Sequence, residues 1–343
     1  MSKISSVLAP NPIERPTLIE RFVSLIPLPY PLAALIWSAF LPGSPGFYLA
    51  TLTPLPAYLP TTFLNMLLFL YLFLIVRYMR LRIVAAEAPI ASRLSRGGQD
   101  YHRAFGRVAS KAPVILLTAG FGTLILAVYA TAGLLSTVPL LVGNTVTVYL
   151  ASLAFSSYLW VFATASLGLH KLGGPSLKLQ SFVEDRMMGA KPMGNLALSL
   201  TAAYYGGLLL TLLLFSTFPS SSLALESLFI IFLLLGVVLF FLPLNSIHAK
   251  MQAEKRRLLR EIGARYPHLD LDSSQPRDRA TKEDLHTGLA RLTDLQELEM
   301  LDRKAVSLPT WPFDIQVVSK FVTIVLSVTA VLLSRLITGF LHI

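Results

Sequence analysis

The amino-acid sequence predicts an all-α fold. It reads as a polytopic helical integral membrane protein of about seven transmembrane helices, N-terminus in and C-terminus out, with a cytoplasmic helical hairpin between spans six and seven. Three observations carry this. Of 343 residues, 54% are hydrophobic and 14% charged, with mean hydropathy +0.63, against the roughly 25% charged of a soluble globular chain. Several apolar stretches reach the ~20 residues that a helix needs to cross a hydrocarbon core of about 30 Å. Basic residues, in turn, avoid every second connection between those stretches. Runs such as Leu208 to Phe215 and Phe229 to Leu242 are apolar on nearly every face, which excludes the alternating strands of a barrel.

Residues 17–26 predict a short amphipathic helix on the inner membrane surface, with Leu18, Ile19, Phe22 and Ile26 on one side and Glu20 and Arg21 on the other. Span one is placed near 27–42, with Pro42-Gly43 closing it, and the proline-rich, uncharged stretch 43–61 reads as an outer interfacial loop or short re-entrant piece. Spans two to seven follow near 62–84, 113–135, 144–168, 196–218, 224–247 and 316–340. Residues 1–245 thus form a transmembrane bundle with cytoplasmic loops 85–112 and 169–195, residues 246–315 the hairpin, and residues 316–343 the last helix.

Orientation follows from charge. Residues 1–25, 77–111, 169–195 and 248–315 hold 27 of the 29 Lys and Arg, and the connections 43–61, 136–143 and 219–223 hold none. Lys and Arg collect on the cytoplasmic side, so the expectation is a multi-pass cell-membrane protein with a cytoplasmic N-terminus. The net charge of +10 sits beside the spans. Anionic inner-leaflet lipid is therefore the expected partner, and nucleic acid is not. Arg93, Arg96, Arg103 and Arg107, on an expected cytoplasmic helix with Ile90, Leu94, Tyr101, Phe105 and Val108, are candidate headgroup ligands.

In the hairpin, Ile247, Met251, Leu258 and Ile262 form a stripe that carries span six out of the membrane until Pro267. Thr281 and Asp284 then form a capping box ahead of a second stripe, Leu285, Leu289, Leu292, Leu295, Leu298 and Leu301. The two helices are expected to pack together.

Little in the chain points to catalysis. It has no cysteine, so thiolate chemistry is excluded. The six histidines never take a ligand spacing such as HExxH, and Gly97-Gly98 and Gly173-Gly174 are not phosphate loops. No enzyme activity, metal or cofactor is expected. Spans two to six carry no Asp, Lys or Arg at mid-depth, which argues against ion-coupled transport.

The patterned polar feature is span seven. Ser319, Thr323, Ser327, Ser334 and Thr338 fall within about 100° of one another on an ideal helix. Such a stripe fits a water-filled path or a close helix contact. Lys320 and Arg335, near its ends, fit snorkelling anchors or charged mouths. Tyr204-Tyr205-Gly206-Gly207 in span five predicts close packing, with a possible tyrosine-lined cavity beside it.

The layout of seven spans, N-terminus in, with a long cytoplasmic segment before a polar last helix, resembles that of insect odorant and gustatory receptor channels. That resemblance is one of topology; span seven lacks the Thr-Tyr and Gln-Phe pattern of that family, and no residue is carried over from it. Two functions remain open. One is an oligomeric ion channel or ligand-responsive channel lined by span seven, a homo-oligomer because one striped helix encloses a path only with its copies. The other is a non-conducting scaffold or a carrier of a lipid-like or apolar substrate.

Overall fold

The computed structural model describes residues 13–50, 55–131, 138–174, 177–180, 185, 187–216, 223–270, 282–312 and 315–341. Eleven helices lie in these segments: α1 (Leu18–Val23), α2 (Tyr30–Ala50), α3 (Leu55–Ala85), α4 (Glu87–Ala91), α5 (Gly98–Phe105), α6 (Lys111–Thr131), α7 (Val138–Leu172), α8 (Lys191–Ser216), α9 (Leu223–Asp270), α10 (Lys282–Val306) and α11 (Ile315–Leu341). No strand occurs among the described residues. Helix is the only way for a single segment to satisfy its backbone polar groups within lipid.

Five helical stretches are long and apolar enough to cross a membrane: Pro60–Ala91, Val142–Leu172, Lys191–Ser216, Glu226–Tyr266 and Gln316–Ile337. The other two expected spans fall on shorter apolar stretches, Tyr30–Leu41 and Lys111–Ala127. The backbone also departs from the sequence reading at span one, since α2 runs through Pro42-Gly43 to Ala50. Proline removes one helical hydrogen bond, a loss that membrane helices accommodate locally.

Tyrosines stitch the bundle core together. The Tyr71 hydroxyl on α3 donates to the Ala203 carbonyl on α8 (2.7 Å), and Tyr158 on α7 donates to the carbonyl of Tyr204. From α8, the Tyr204 and Tyr205 hydroxyls donate to Phe232 (2.7 Å) and Leu233 (2.9 Å) of α9. Gly206 and Gly207 make this possible. A Cβ at Gly206 would collide with the Tyr71 hydroxyl, and one at Gly207 would sit 2.7 Å from that of Tyr158. Rings fill the remaining volume, with Tyr204 stacked on Phe162 at 4.4 Å and Phe240 of α9 on Phe321 of α11 at 4.0 Å.

Long-range bonds gather the basic segments at one end of the bundle. Arg80 of α3 grips Glu20 of α1 through three bonds of 2.8–3.0 Å. Tyr101 of α5 donates to the carbonyl of Ile83, Lys178 N–H donates to Arg93 O, and Lys250 of α9 donates to Gly174 and Leu177. Burial pushes the Tyr101 phenol above its usual value, and Glu87 adds in the same direction.

The sequence put Glu20 on the exposed face of its amphipathic helix, but the structure buries it. Its carboxylate closes a capping box with Thr17 and meets Arg80. A charge is tolerated in that position because it is paired and hydrogen-bonded.

α9 continues through its apolar part into a long extension, 48 residues or about 72 Å at 1.5 Å per residue. It passes Pro267 and ends at Asp270. α10 folds back on it through Ile262, Leu298 and Ala305, with Leu259, Tyr266 and Leu301 around them. Lys255 holds the turn after α10 by donating to Val306 (2.6 Å) and Leu308 (2.9 Å). Of the leucine stripe, Leu298 is buried while Leu289, Leu292 and Leu295 are exposed. In this antiparallel register the first turns of α10 lie beyond Asp270, where α9 has ended. The expected capping residue Thr281 lies outside the described residues.

Candidate functional site

Three arginines close α3 and have three different surroundings. Arg77 lies over the Tyr30 ring at 4.4 Å, Arg80 pairs with Glu20, and Arg82 stands over Tyr78 at 5.7 Å with no carboxylate partner among the described residues. Arg82 thereby opens onto a groove of about 520 Å³ between α3, α8 and α11. Asn195, Leu198, Ser199 and Ala202 of α8 and Ser319, Lys320, Thr323 and Ile324 of α11 complete its lining.

Depth sorts these side chains. Arg82, Asn195, Ser319 and Lys320 lie within about 8 Å, measured along the helix, of the ends of α3, α8 and α11. Ala202 and Ile324 lie about 14–17 Å from the same ends. The groove therefore presents two cations, an amide and hydroxyls at its shallow end, and aliphatic groups further in. It is partly open rather than enclosed. Phosphate oxygens match the shallow end, since Arg and Lys bind them by charge-assisted hydrogen bonds.

The residues singled out from sequence separate into three groups. Ser319 and Thr323 enter the groove, while Ser327 and Ser334 are exposed further along the same helix and the Thr338 side chain lies outside the described residues. Thr323 donates to Ser319 O (2.9 Å) and Ser327 to Thr323 O (2.8 Å). α11 buries its opposite face instead, through Phe321, Val328 and Leu332. Of its most apolar stretch 17% is buried, the smallest share of the five long spans.

Tyr204 and Tyr205 are buried in the packed core, with both hydroxyls engaged. Neither lines the groove. Ser152 and Ser156 are likewise buried on α7.

Arg93, Arg96, Arg103 and Arg107 do not share one helix, because Gly97 takes a positive φ of 54° and breaks the segment between α4 and α5. Arg96, Arg103 and Arg107 are exposed at the basic end. Arg93 folds against the turn at Gly189, which itself has φ +81°.

Sequence reasoning missed Arg82, Asn195 and Ser199. Their convergence depends on how three helices pack, but one signal was present: Arg82 ends a span and Lys320 begins one on the same side, so both sit at one depth. No family model matches the chain, and no curated protein or solved structure matches it. Five long apolar helices nevertheless mark a membrane protein.

Proposed function

We propose that the chain is a membrane protein that binds an anionic amphiphile, a phosphate-bearing lipid, in the groove between α3, α8 and α11. One observation carries this reading: the groove joins Arg82 and Lys320, near the ends of α3 and α11, to the aliphatic side chains of Leu198, Ala202 and Ile324 further in. The charge bias assigns this basic end to the cytoplasmic face of a cell membrane, where anionic lipid is the available partner. It develops the lipid-like carrier, one of the two classes the sequence left open.

Native mass spectrometry of protein solubilised from anionic vesicles tests it. Wild type retains phosphatidylglycerol, and Arg82→Ala/Lys320→Ala loses retention by about tenfold or more, the equivalent of one charge-assisted bond. Equal retention by both proteins refutes the groove as the site.

The low burial of α11, with its hydroxyls turned outward, favours a second reading. Copies of this helix would line a path in a homo-oligomeric channel. Ion flux in liposomes that falls in Thr323→Leu/Ser327→Leu, together with an oligomer in detergent, would support it.

A further inference from the structure

The hairpin of α9 and α10 leaves α10 with two apolar faces and covers one of them. Leu298, Leu301 and Ala305 pack with Ile262 and its neighbours on α9, and on an ideal helix they fall within about 60° of one another. Leu289, Leu292, Leu295, Met300 and Val306 are exposed, and they group around the opposite side of the helix. Their spacing has a pattern. Leu289, Leu292, Gln296, Glu299, Arg303 and Val306, all exposed, follow at alternating steps of three and four, the seam of a two-helix coiled coil about 26 Å long. Leu295 and Met300 flank that seam and widen its apolar surface.

Charge on the seam says what covers it. Glu299 and Arg303 stand one turn apart among the apolar side chains and bridge each other at 2.6 Å, with side chains 58% and 79% exposed. A partner must therefore offer a base near the acid, an acid near the base and apolar groups against Leu289 and Leu292. The same segment of a second copy, parallel and in register, supplies all of these, because each Glu299 then reaches Arg303 of the other copy while each leucine meets its counterpart. An antiparallel copy does not. Aligning its Arg303 with Glu299 would set Leu292 opposite position 310, past the end of α10 at Val306. Parallel is also the direction imposed by the membrane, since copies inserted in one bilayer with one orientation point their hairpins the same way.

We propose that the outer face of α10 is a self-association surface on which a second copy of this chain docks its own α10, parallel and in register, with Glu299 of each copy paired to Arg303 of the other. This stands apart from the groove between α3, α8 and α11 and does not rest on it. The leucine half of the seam supplies burial, and the polar half fixes register, as a polar group on a coiled-coil seam does. A seam this short is enough because confinement to one membrane raises the effective concentration of the copies.

The chain has no cysteine, so disulfide trapping of the full-length protein in membranes reads the contact. Leu292→Cys is expected to cross-link to the same position of a second copy, because a parallel seam brings like Cα atoms within about 7 Å. Ala290→Cys, exposed on the other side of the helix, is expected not to. Mixing copies then tests the charges. In the Leu292→Cys background, Glu299→Lys alone and Arg303→Glu alone should each lower self-cross-linking about tenfold or more, since like charges meet across the seam. Coexpressed with different tags, the two should cross-link to each other at close to the parent level. Neither variant keeps its bridge within the helix, so recovery in the mixture reports pairing between copies and shows that both variants fold. Cross-linking of Leu292→Cys no greater than that of Ala290→Cys overturns the proposal, as does a cross-link to a different polypeptide in place of a second copy. Parent-level cross-linking by either single variant, or no recovery in the mixture, overturns the charge pairing that selects the second copy.

Discussion

Replacing Gly207 by alanine puts the core geometry under direct test. The new Cβ would sit 2.7 Å from the Tyr158 hydroxyl oxygen and 2.9 Å from Cζ, well inside van der Waals contact. Tyr158 has little freedom to retreat, because its ring stacks on Tyr204 at 5.7 Å and its hydroxyl is bonded to the Tyr204 carbonyl. Overpacking of this kind costs about 1–3 kcal/mol, and the interhelical bond lost as the ring moves adds roughly 0.6–1.7 kcal/mol. A total of about 2–5 kcal/mol is expected from these two ranges. Reversible unfolding in mixed micelles, followed by circular dichroism, reads it out. Tyr158→Phe/Gly207→Ala should recover part of the loss, since the nearest atom is removed while Cζ and Cε2 remain close. Gly120→Ala, with nothing within 4 Å of the added Cβ, is the control and should be neutral or gain up to about 1 kcal/mol of helix propensity. Gly207→Ala within about 0.5 kcal/mol of wild type would refute the close approach of α7 and α8.

Removing one partner of the α1 clamp by Glu20→Ala should cost about 3–5 kcal/mol, because Arg80 is left shielded and unpaired; Glu20→Ala/Arg80→Leu should recover most of it in the same unfolding assay. Leu298→Asp should detach α10 from α9, seen as rapid proteolysis within residues 282–306 while the membrane core stays intact. Lys250 has its pKa lowered by burial, with Glu254 acting in the opposite sense. Its unfolded form therefore binds more protons between the lowered value and about 10.5. Stability should rise with pH across that window, and Lys250→Met should remove the slope. Single cysteines placed in this cysteine-free chain report orientation: Ala290→Cys should react with impermeant reagents only from the cytoplasmic face. Labelling from the opposite face would invert the assignment.

Much of the architecture was legible because lipid leaves few choices. Long apolar runs must be helices, and the breaks between α8, α9 and α11 fall near the charged or turn-rich segments that announced them. What periodicity left hidden were the pairings. Glu20 reads as an exposed charge on a short amphipathic helix over residues 17–26 until α3 brings Arg80 against it from 60 positions away. The leucines of α10 are equally apolar along the helix, yet Leu298 is buried and Leu289, Leu292 and Leu295 are exposed. At the site, the spacing of Ser319 and Thr323 placed them on one face, but not against Arg82 and Asn195, which come from two other helices. The tyrosine pair was visible as an interruption of span five. Its use, hydroxyls reaching carbonyls across two glycines, depended on neighbours the local sequence does not name.

The groove itself is best examined by cryo-electron microscopy of the protein in nanodiscs made with phosphatidylglycerol. The account predicts headgroup density within hydrogen-bonding reach of Arg82 and Lys320, with acyl density leaving past Ala202 and Ile324 between α8 and α11. A groove closed by side chains, or filled by a helix from a second copy, would contradict it.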